Sequence, residues 1–218
     1  MIIAIDGPSG SGKSTLGRML ARALKLLYID TGSMYRAVAL AVINAELDPG
    51  DKDAVTALAN EIEIDFEGDP ESLSVFLNGR DVTDQIRTES VTEMSSVVST
   101  IPGVRRAMVE RQRAISKRGA VLNGRDIGTV VFPGADVKFF LTAAPEERAE
   151  RRYKEDQSTA ASSATFAETL SDMIERDRRD STRADSPLKV ADDAIVIDST
   201  GKSIDEVFEE MIKRISHG

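Results

Sequence analysis

Residues 7–15 read GPSGSGKST and follow a short apolar run, Ile2–Ile5. Gly7, Gly12, Lys13 and Ser14 match G-x-x-x-x-G-K-[ST], a spacing that wraps backbone amides around phosphate. Glycines let the loop curl so that successive N–H groups point inward at anionic oxygens. A helix expected from about Lys13 adds the positive end of its dipole. Lys13 offers a point charge to the β- and γ-phosphates, and Ser14 offers a hydroxyl to Mg²⁺. On this reading Gly7, Pro8, Ser9, Gly10, Ser11, Gly12, Lys13, Ser14 and Thr15 form an ATP-binding cradle. A chance glycine-rich turn would match in roughly 1% of chains of this length. The context narrows that further: an apolar strand precedes the loop, and an amphipathic helix with Leu16, Met19, Leu20 and Ala23 comes after it.

A cradle holds phosphate without saying what becomes of it. The Asn-Lys-x-Asp run of a guanine-reading switch is absent, and the third apolar run ends in Asn123 rather than the Asp of a motor ATPase. An acceptor site is therefore sought among the remaining cations. YIDTGSMYR (28–36) starts at a strand end, where α/β sheets gather ligands. There Thr31 suits a helix cap and Arg36 a bidentate phosphate clamp. NGRDIGT (123–129) ends another strand, with Gly124 and Gly128 bracketing Arg125 and Asp126. In ERDRRDSTRADSP (175–187), Arg176, Arg179, Asp180 and Arg183 are spaced to share one helix face. In EERAERR (146–152), Arg148 and Arg152 stand one turn apart. Each patch also has a plainer reading: a capped helix with a surface Arg at 28–36, a turn with a local Arg125–Asp126 pair at 123–129, and, for the two helical patches, a solvated face of ion pairs such as Glu147–Arg151 or Glu175–Arg179, worth about 0.3–0.5 kcal/mol apiece. Together they suit phosphoryl transfer, which needs positioning and charge neutralisation more than covalent chemistry. So many arginines outside the cradle point to an acceptor that already bears a phosphate.

The elements that must position these groups obey the hydrophobic pattern. Apolar runs at Ile2–Ile5, Leu26–Ile29, Ala120–Leu122, Val137–Leu141 and Ala194–Ile197 read as buried strands. Helical periodicity falls at about 13–24, 33–45, 89–99, 102–117, 145–156, 164–180 and 203–215. Alternation of the two predicts an α/β fold whose central five-stranded parallel sheet is covered on both faces. Residues 62–86 break the rhythm with period-two alternation and turn signals at Gly68–Pro70 and Asn78–Gly79, predicting a small inserted antiparallel sheet. Residues 155–165, rich in Ser, Thr and Ala, read as a mobile loop between two arginine-bearing helices.

Bulk properties exclude several classes. The 218 residues suit one compact α/β unit and carry a net charge of −9, unlike a general nucleic-acid binder. No cysteine is present, which fits a reducing cytosol and rules out thiolate metal sites. Asp6 interrupts the apolar start, and no long apolar run comes later, so neither a signal peptide nor a membrane span is expected. His217 is the only histidine and lies at a terminus expected to fray, which argues against Ser–His–Asp catalysis.

Taken together, IDGPSGSGKST, DTGSMYRAVAL, the inserted meander, IRTESV, SSVVSTIPGVRRAMVERQR, GRDIGTVVFP, FFLTAAPEERAERR, ERDRRDSTRADSPL and IDSTGKSIDEV resemble the bacterial cytidylate kinases, almost end to end. No D-G-[FY]-P-R run of an adenylate kinase is found. The resemblance implies transfer of the ATP γ-phosphate to CMP or dCMP with Mg²⁺, by a cytoplasmic protein expected to be a monomer. It also implies a three-layer P-loop kinase fold in one unit, 1–218, with a core at 1–30, 100–147 and 180–218. An NMP-binding part at 31–99 and a helical lid at about 148–179 complete it. By motif, Ser96, Arg105 and Asp126 would read the cytosine edge, and Thr31 and Arg36 would hold the acceptor near its phosphate. Arg125 would lie between donor and acceptor phosphates, and Asp180 and Arg183 would reach the acceptor's sugar and phosphate. Arg148, Arg152 and Arg179 join Lys13 and Arg125 as candidate catalytic groups. One position departs from the family pattern: Asn123 stands where Asp or Glu usually precedes GRDIGT.

Overall fold

The computed structural model describes residues 1–159 and 164–216. His217 lies outside them. In chain order the elements are β1 (Ile2–Asp6), α1 (Lys13–Leu24), β2 (Leu27–Asp30), α2 (Thr31–Asn44), α3 (Lys52–Glu61), β3 (Ile64–Glu67), β4 (Ser74–Leu77) and β5 (Arg80–Asp81). Then come α4 (Glu89–Val98), α5 (Pro102–Ile115), β6 (Ala120–Gly124), β7 (Val137–Thr142), α6 (Pro145–Thr159), α7 (Phe166–Thr182), β8 (Ile195–Asp198) and α8 (Ile204–Ser216).

The contacts divide the chain into two compact units. One comprises Met1–Ile29 with Ser116–Gly218, and the other Asp30–Ile115. The first is built on a five-stranded sheet of order β2-β6-β1-β7-β8, in which β1 pairs parallel with both β6 and β7, and β7 parallel with β8. Central strands of such a sheet are covered on both faces and need continuous apolar runs. Ile3, Ala4 and Ile5 of β1 are accordingly buried completely. Gly17 of α1 admits the ring of Tyr28 from β2, because a Cβ there would come 2.8 Å from Tyr28 Cε2. The parallel register brings two strand ends level, with Asp6 at the end of β1 opposite Gly124 at the end of β6.

In the second unit α2 packs on α4 and α3 on α5, beside the antiparallel sheet β3-β4-β5. This is the inserted meander expected from its alternation. Ile64, Val75, Leu77 and Val82 are buried, and Asn78 and Gly79, both at positive φ, make the tight turn.

Two expectations are corrected. Residues 155–159 are not loop: α6 continues through them to Thr159, and Thr165 already caps α7 by a reciprocal bond with Glu168. Only 160–163 of that stretch lie outside the described residues. Helix α3 was absent from the helical pattern read in the sequence, although Asp51 caps it by accepting from the Ala54 N–H, at 3.0 Å, and Val55 and Ala59 are buried. Its ten residues and two buried anchors carry too little periodicity to stand out beside the turn residues Asp48–Gly50.

Candidate active site

The first unit builds its site at the carboxyl ends of its strands. The loop from Gly7 to Gly12 leaves β1 and enters α1. Two glycines are required by geometry. Gly7, at φ 148°, passes so close to β7 that a Cβ would sit 2.0 Å from the Leu141 carbonyl oxygen. Gly12 occupies the N-cap of α1 at φ 93°, a left-handed conformation that side chains disfavour. With no side-chain cap on α1, the first amides of the helix are left for an anion. Lys13 is buried, and its Nζ donates to the Pro8 carbonyl at 2.5 Å, which folds the ammonium back over the loop. Ser11 Oγ donates to the same carbonyl at 3.0 Å.

Ser14 faces a partner from β6: Asn123 Nδ2 donates to Ser14 Oγ at 3.1 Å. A carboxylate at this position would accept from that hydroxyl instead and leave its lone pairs outward. On the expectation that Ser14 offers its hydroxyl to Mg²⁺, Asn123→Asp should lower the Mg²⁺ concentration for half-maximal rate, read from initial rates across a Mg²⁺ titration. An unchanged or higher requirement would count against it.

Beyond Asn123 the chain turns through Gly124, Arg125 and Asp126. Arg125 Nε donates to Asp180 Oδ2 of α7 at 2.8 Å, and its Nη1 to the Gly124 carbonyl at 3.3 Å. Arg183 Nη1 lies 3.6 Å from the other Asp180 oxygen, while its Nε donates to the Ser186 carbonyl at 2.7 Å. Burial alone would push the Asp180 carboxyl up. Arg125, then Arg176, then Arg183 outweigh it and hold that carboxyl below the usual carboxylate range. Arg125, Arg176 and Arg183 are thus brought together around Asp180. The shared helical face is not the reason for Arg183, which stands beyond the last turn of α7 in an extended conformation. Arg179 is half exposed and turns toward Glu175 at 3.7 Å, outside this group.

The arginines of α6 part company. Arg152, also half exposed, pairs with Asp156 of its own helix at 2.9 Å. Arg148 is buried: Nε donates to the Ala143 carbonyl at 3.0 Å, and Nη1 to the Ser9 carbonyl at 3.0 Å and to Asp177 Oδ2 at 2.6 Å. It braces the outer wall of the cradle against α7, and Gly10 has no room for a Cβ beside the Arg148 backbone and Met173.

Asp6 is a residue that motif reasoning passed over. It is buried, and its two oxygens accept from the Ile127 and Gly128 N–H groups at 2.9 and 2.7 Å. Burial, with a smaller push from Asp126, raises its carboxyl to about 6 against the pull of those amides and of Lys13. The signal was an acid at the end of an otherwise apolar strand.

In the second unit, Asp30 rather than Thr31 caps α2: its Oδ1 accepts from the Gly32 N–H at 3.1 Å. Thr31 is instead the first helical residue and is buried, because the Asp side chain one position earlier already reaches the free amide. Asp30 Oδ2 also accepts from Ser33 Oγ at 2.8 Å and from Arg36 Nη2 at 3.1 Å. Burial would raise its carboxyl, but Arg36 and Ser33 outweigh that and keep it low. Arg36 is thereby oriented from its own helix start, and its buried Nε has no hydrogen-bond partner among the described residues. Arg105 of α5 is buried with its guanidinium 5.5 Å over the Tyr35 ring, and its Nη1 donates to the Ser99 carbonyl at 3.2 Å. Ser99 Oγ in turn donates to the carbonyl of Ser96 at 3.1 Å, so Ser96 and Arg105 share one patch.

A parallel sheet with a glycine cradle between β1 and α1, a buried lysine in the cradle and an arginine cluster at the strand ends defines a P-loop kinase. A gluconokinase from Sinorhizobium meliloti 1021 has this fold, with a TM-score of 0.51 at 15% identity over 99% of this chain and 91% of that one. The cytidylate kinase family model matches residues 3–217. The chain is 50% identical over 228 residues to a cytidylate kinase of Solibacter usitatus, covering 100% of this chain and 95% of that protein. It is also 50% identical over 216 residues to one of Corynebacterium efficiens, covering 98% and 93%. The chain belongs to the cytidylate kinase family. Among the described residues no helix is long and apolar enough to cross a membrane, and no group of three or more acidic, His or Cys side chains forms a metal cluster.

Proposed function

We propose that this enzyme transfers the γ-phosphate of ATP to CMP or dCMP, giving ADP and CDP or dCDP, through the residues of these two units. The observation that carries this reading is the buried cradle lysine in the same unit as the Arg125–Asp180–Arg183 cluster. The cradle amides and Lys13 hold the donor phosphates. Arg125 neutralises charge on the passing phosphoryl group, which spreads over three oxygens in the transition state. Thr31 and Arg36 hold the acceptor phosphate, and Asp180 and Arg183 its sugar and phosphate. Arg148 supports the cradle wall, while Arg152 and Arg179 act from the lid. By function the chain divides into a core at 1–30, 100–147 and 180–218, an acceptor part at 31–99 and a lid at about 148–179, although residues 100–115 pack within the second compact unit. It works as a monomer in the cytoplasm on small-molecule substrates, with neither nucleic acid nor membrane as a partner.

Mg²⁺ fits the residues present. A hard cation takes oxygen ligands and keeps much of its water, so one hydroxyl, Ser14, with phosphate oxygens suffices. Bound there, it would neutralise charge between the β- and γ-phosphates.

Base choice rests on donor and acceptor patterns. Asp126 accepts from the exocyclic N4 amine of cytosine, while Arg105 donates to O2 or N3 and Ser96 supports the same edge. Uracil presents O4 where the amine was, setting an acceptor against a carboxylate. Unpaired buried groups cost about 1–3 kcal/mol, or roughly 5- to 150-fold. Diphosphate formation from CMP, dCMP, UMP and AMP, each with ATP, is expected to be fastest on the cytidylates. Asp126→Asn is expected to narrow the gap between CMP and UMP. A top rate on AMP or UMP in the wild type would end this reading.

A further inference from the structure

Parallel pairing sets Asp6 opposite Gly124, at the point where β6 gives way to the Arg125–Asp126 turn. From there the carboxylate reaches past the turn to the first amides of the short π-helix Ile127–Val131, with Oδ1 on Ile127 N–H at 2.9 Å and Oδ2 on Gly128 N–H at 2.7 Å. Opening amides of a helix have no acceptor within it. On the other side, the Asp126 carbonyl accepts from the Val130 and Val131 N–H groups at 2.9 and 3.1 Å. Asp126 is therefore clamped through its own carbonyl and through the next two amides in the chain.

The cost of this arrangement is informative. A buried carboxylate gives up its hydration, and apolar packing would often serve stability as well or better. The charged groups facing Asp6 are Lys13, which favours its ionised form, and Asp126, which opposes it. The strand end thus carries an acid beside a second acid, and what the acid secures is the turn. Gly128 leaves it space: a Cβ there would meet Lys138 Cδ at 3.1 Å and Asp6 Oδ2 at 3.4 Å.

We infer that Asp6 is a positioning residue that fixes the Arg125–Asp126 turn against the end of β1 and thereby sets the base preference exerted by Asp126. This rests on the reading of Asp126 as the group that meets the cytosine amine. Asp6→Asn keeps one accepting oxygen and sets its side-chain NH₂, a donor, against a backbone N–H donor. Gly128→Ala crowds the same corner from the other side, chiefly through Lys138, whose Cδ and Cγ its Cβ would meet at 3.1 and 3.3 Å.

The test compares full-length wild type, Asp6→Asn, Gly128→Ala and Asp126→Asn. The readouts are kcat/KM for CMP and for UMP, affinity for a non-hydrolysable ATP analogue, and amide hydrogen exchange at Ile127 and Gly128. In both Asp6→Asn and Gly128→Ala, the CMP-to-UMP ratio is expected to fall by about fivefold or more toward that of Asp126→Asn. The two amides should exchange faster, with analogue affinity close to wild type. A ratio kept at the wild-type value in either folded variant overturns the inference, because a merely structural role would lower rates without changing the choice of base. Should Asp126→Asn itself keep the preference, the cytosine reading fails separately. Asp6 is then decided by exchange: faster exchange in Asp6→Asn sustains the clamp, and unchanged protection overturns it.

Discussion

Arg125→Ala is expected to lower turnover with CMP by about 10³-fold or more, the range over which a guanidinium on a transferring phosphoryl group acts. The side chain stands at the end of β6, its Nε engaged by Asp180. That bond orients the group before any substrate arrives, so little reorganisation is left for the reaction itself. The same substitution should leave the fold in place. Asp180 keeps Arg176 and Arg183 as neighbouring cations, and the carboxylate is not stranded without a counter-charge. Arg125→Lys is expected to recover little, because a point charge on a flexible stem cannot hold the Asp180 oxygen and a phosphate in one plane. Steady-state rates with saturating ATP and CMP, alongside thermal unfolding, decide the matter. A loss below about tenfold in a normally folded Arg125→Ala enzyme would remove this arginine from the reaction.

The second large effect belongs to Lys13. Its replacement by Ala should cost on the order of 10²–10³ in turnover, as loss of one preorganised donor does elsewhere. In this structure the ammonium is held by the Pro8 carbonyl, and Ser11 Oγ donates to that same carbonyl. Removing the lysine therefore leaves the loop carbonyl with a partner and the glycine conformations untouched. The deficit should appear chiefly in kcat, with analogue affinity falling less, because the cradle amides remain. A near-normal rate would mean that the donor phosphates are held elsewhere.

Much of this chemistry is legible in the residues alone. The cradle could be read because its geometry depends on residues within one short segment: glycines where amides must converge, and a lysine and a serine at the adjoining helix start. The meander was legible for the same reason, since period-two alternation and Asn78–Gly79 are local signals. The arginine cluster was only half legible. Spacing along α7 predicts one face for Arg176, Arg179, Asp180 and Arg183, yet Arg183 stands past the end of the helix, Arg179 turns to Glu175, and Arg125 arrives from a strand end 55 residues away in the chain. Helix α3 shows the opposite failure, in which a weak local pattern folds because burial of Val55 and Ala59 supplies what propensity does not, whereas α6 runs on through residues that pair within the helix, Arg152 with Glu155 and Asp156.

Segments whose conformation is dictated by their own residues, the phosphate loop and the strand runs above all, were settled by the order of amino acids alone. Partners distant along the chain were not. Asp6 reaches Ile127 and Gly128 only because parallel pairing brings the ends of β1 and β6 side by side, and Arg148 braces the Ser9 carbonyl only because α6 passes the cradle. A carboxylate or guanidinium carries no address in its chemistry; burial and register choose among the many acceptors and donors that would satisfy it, and those are properties of the assembled fold.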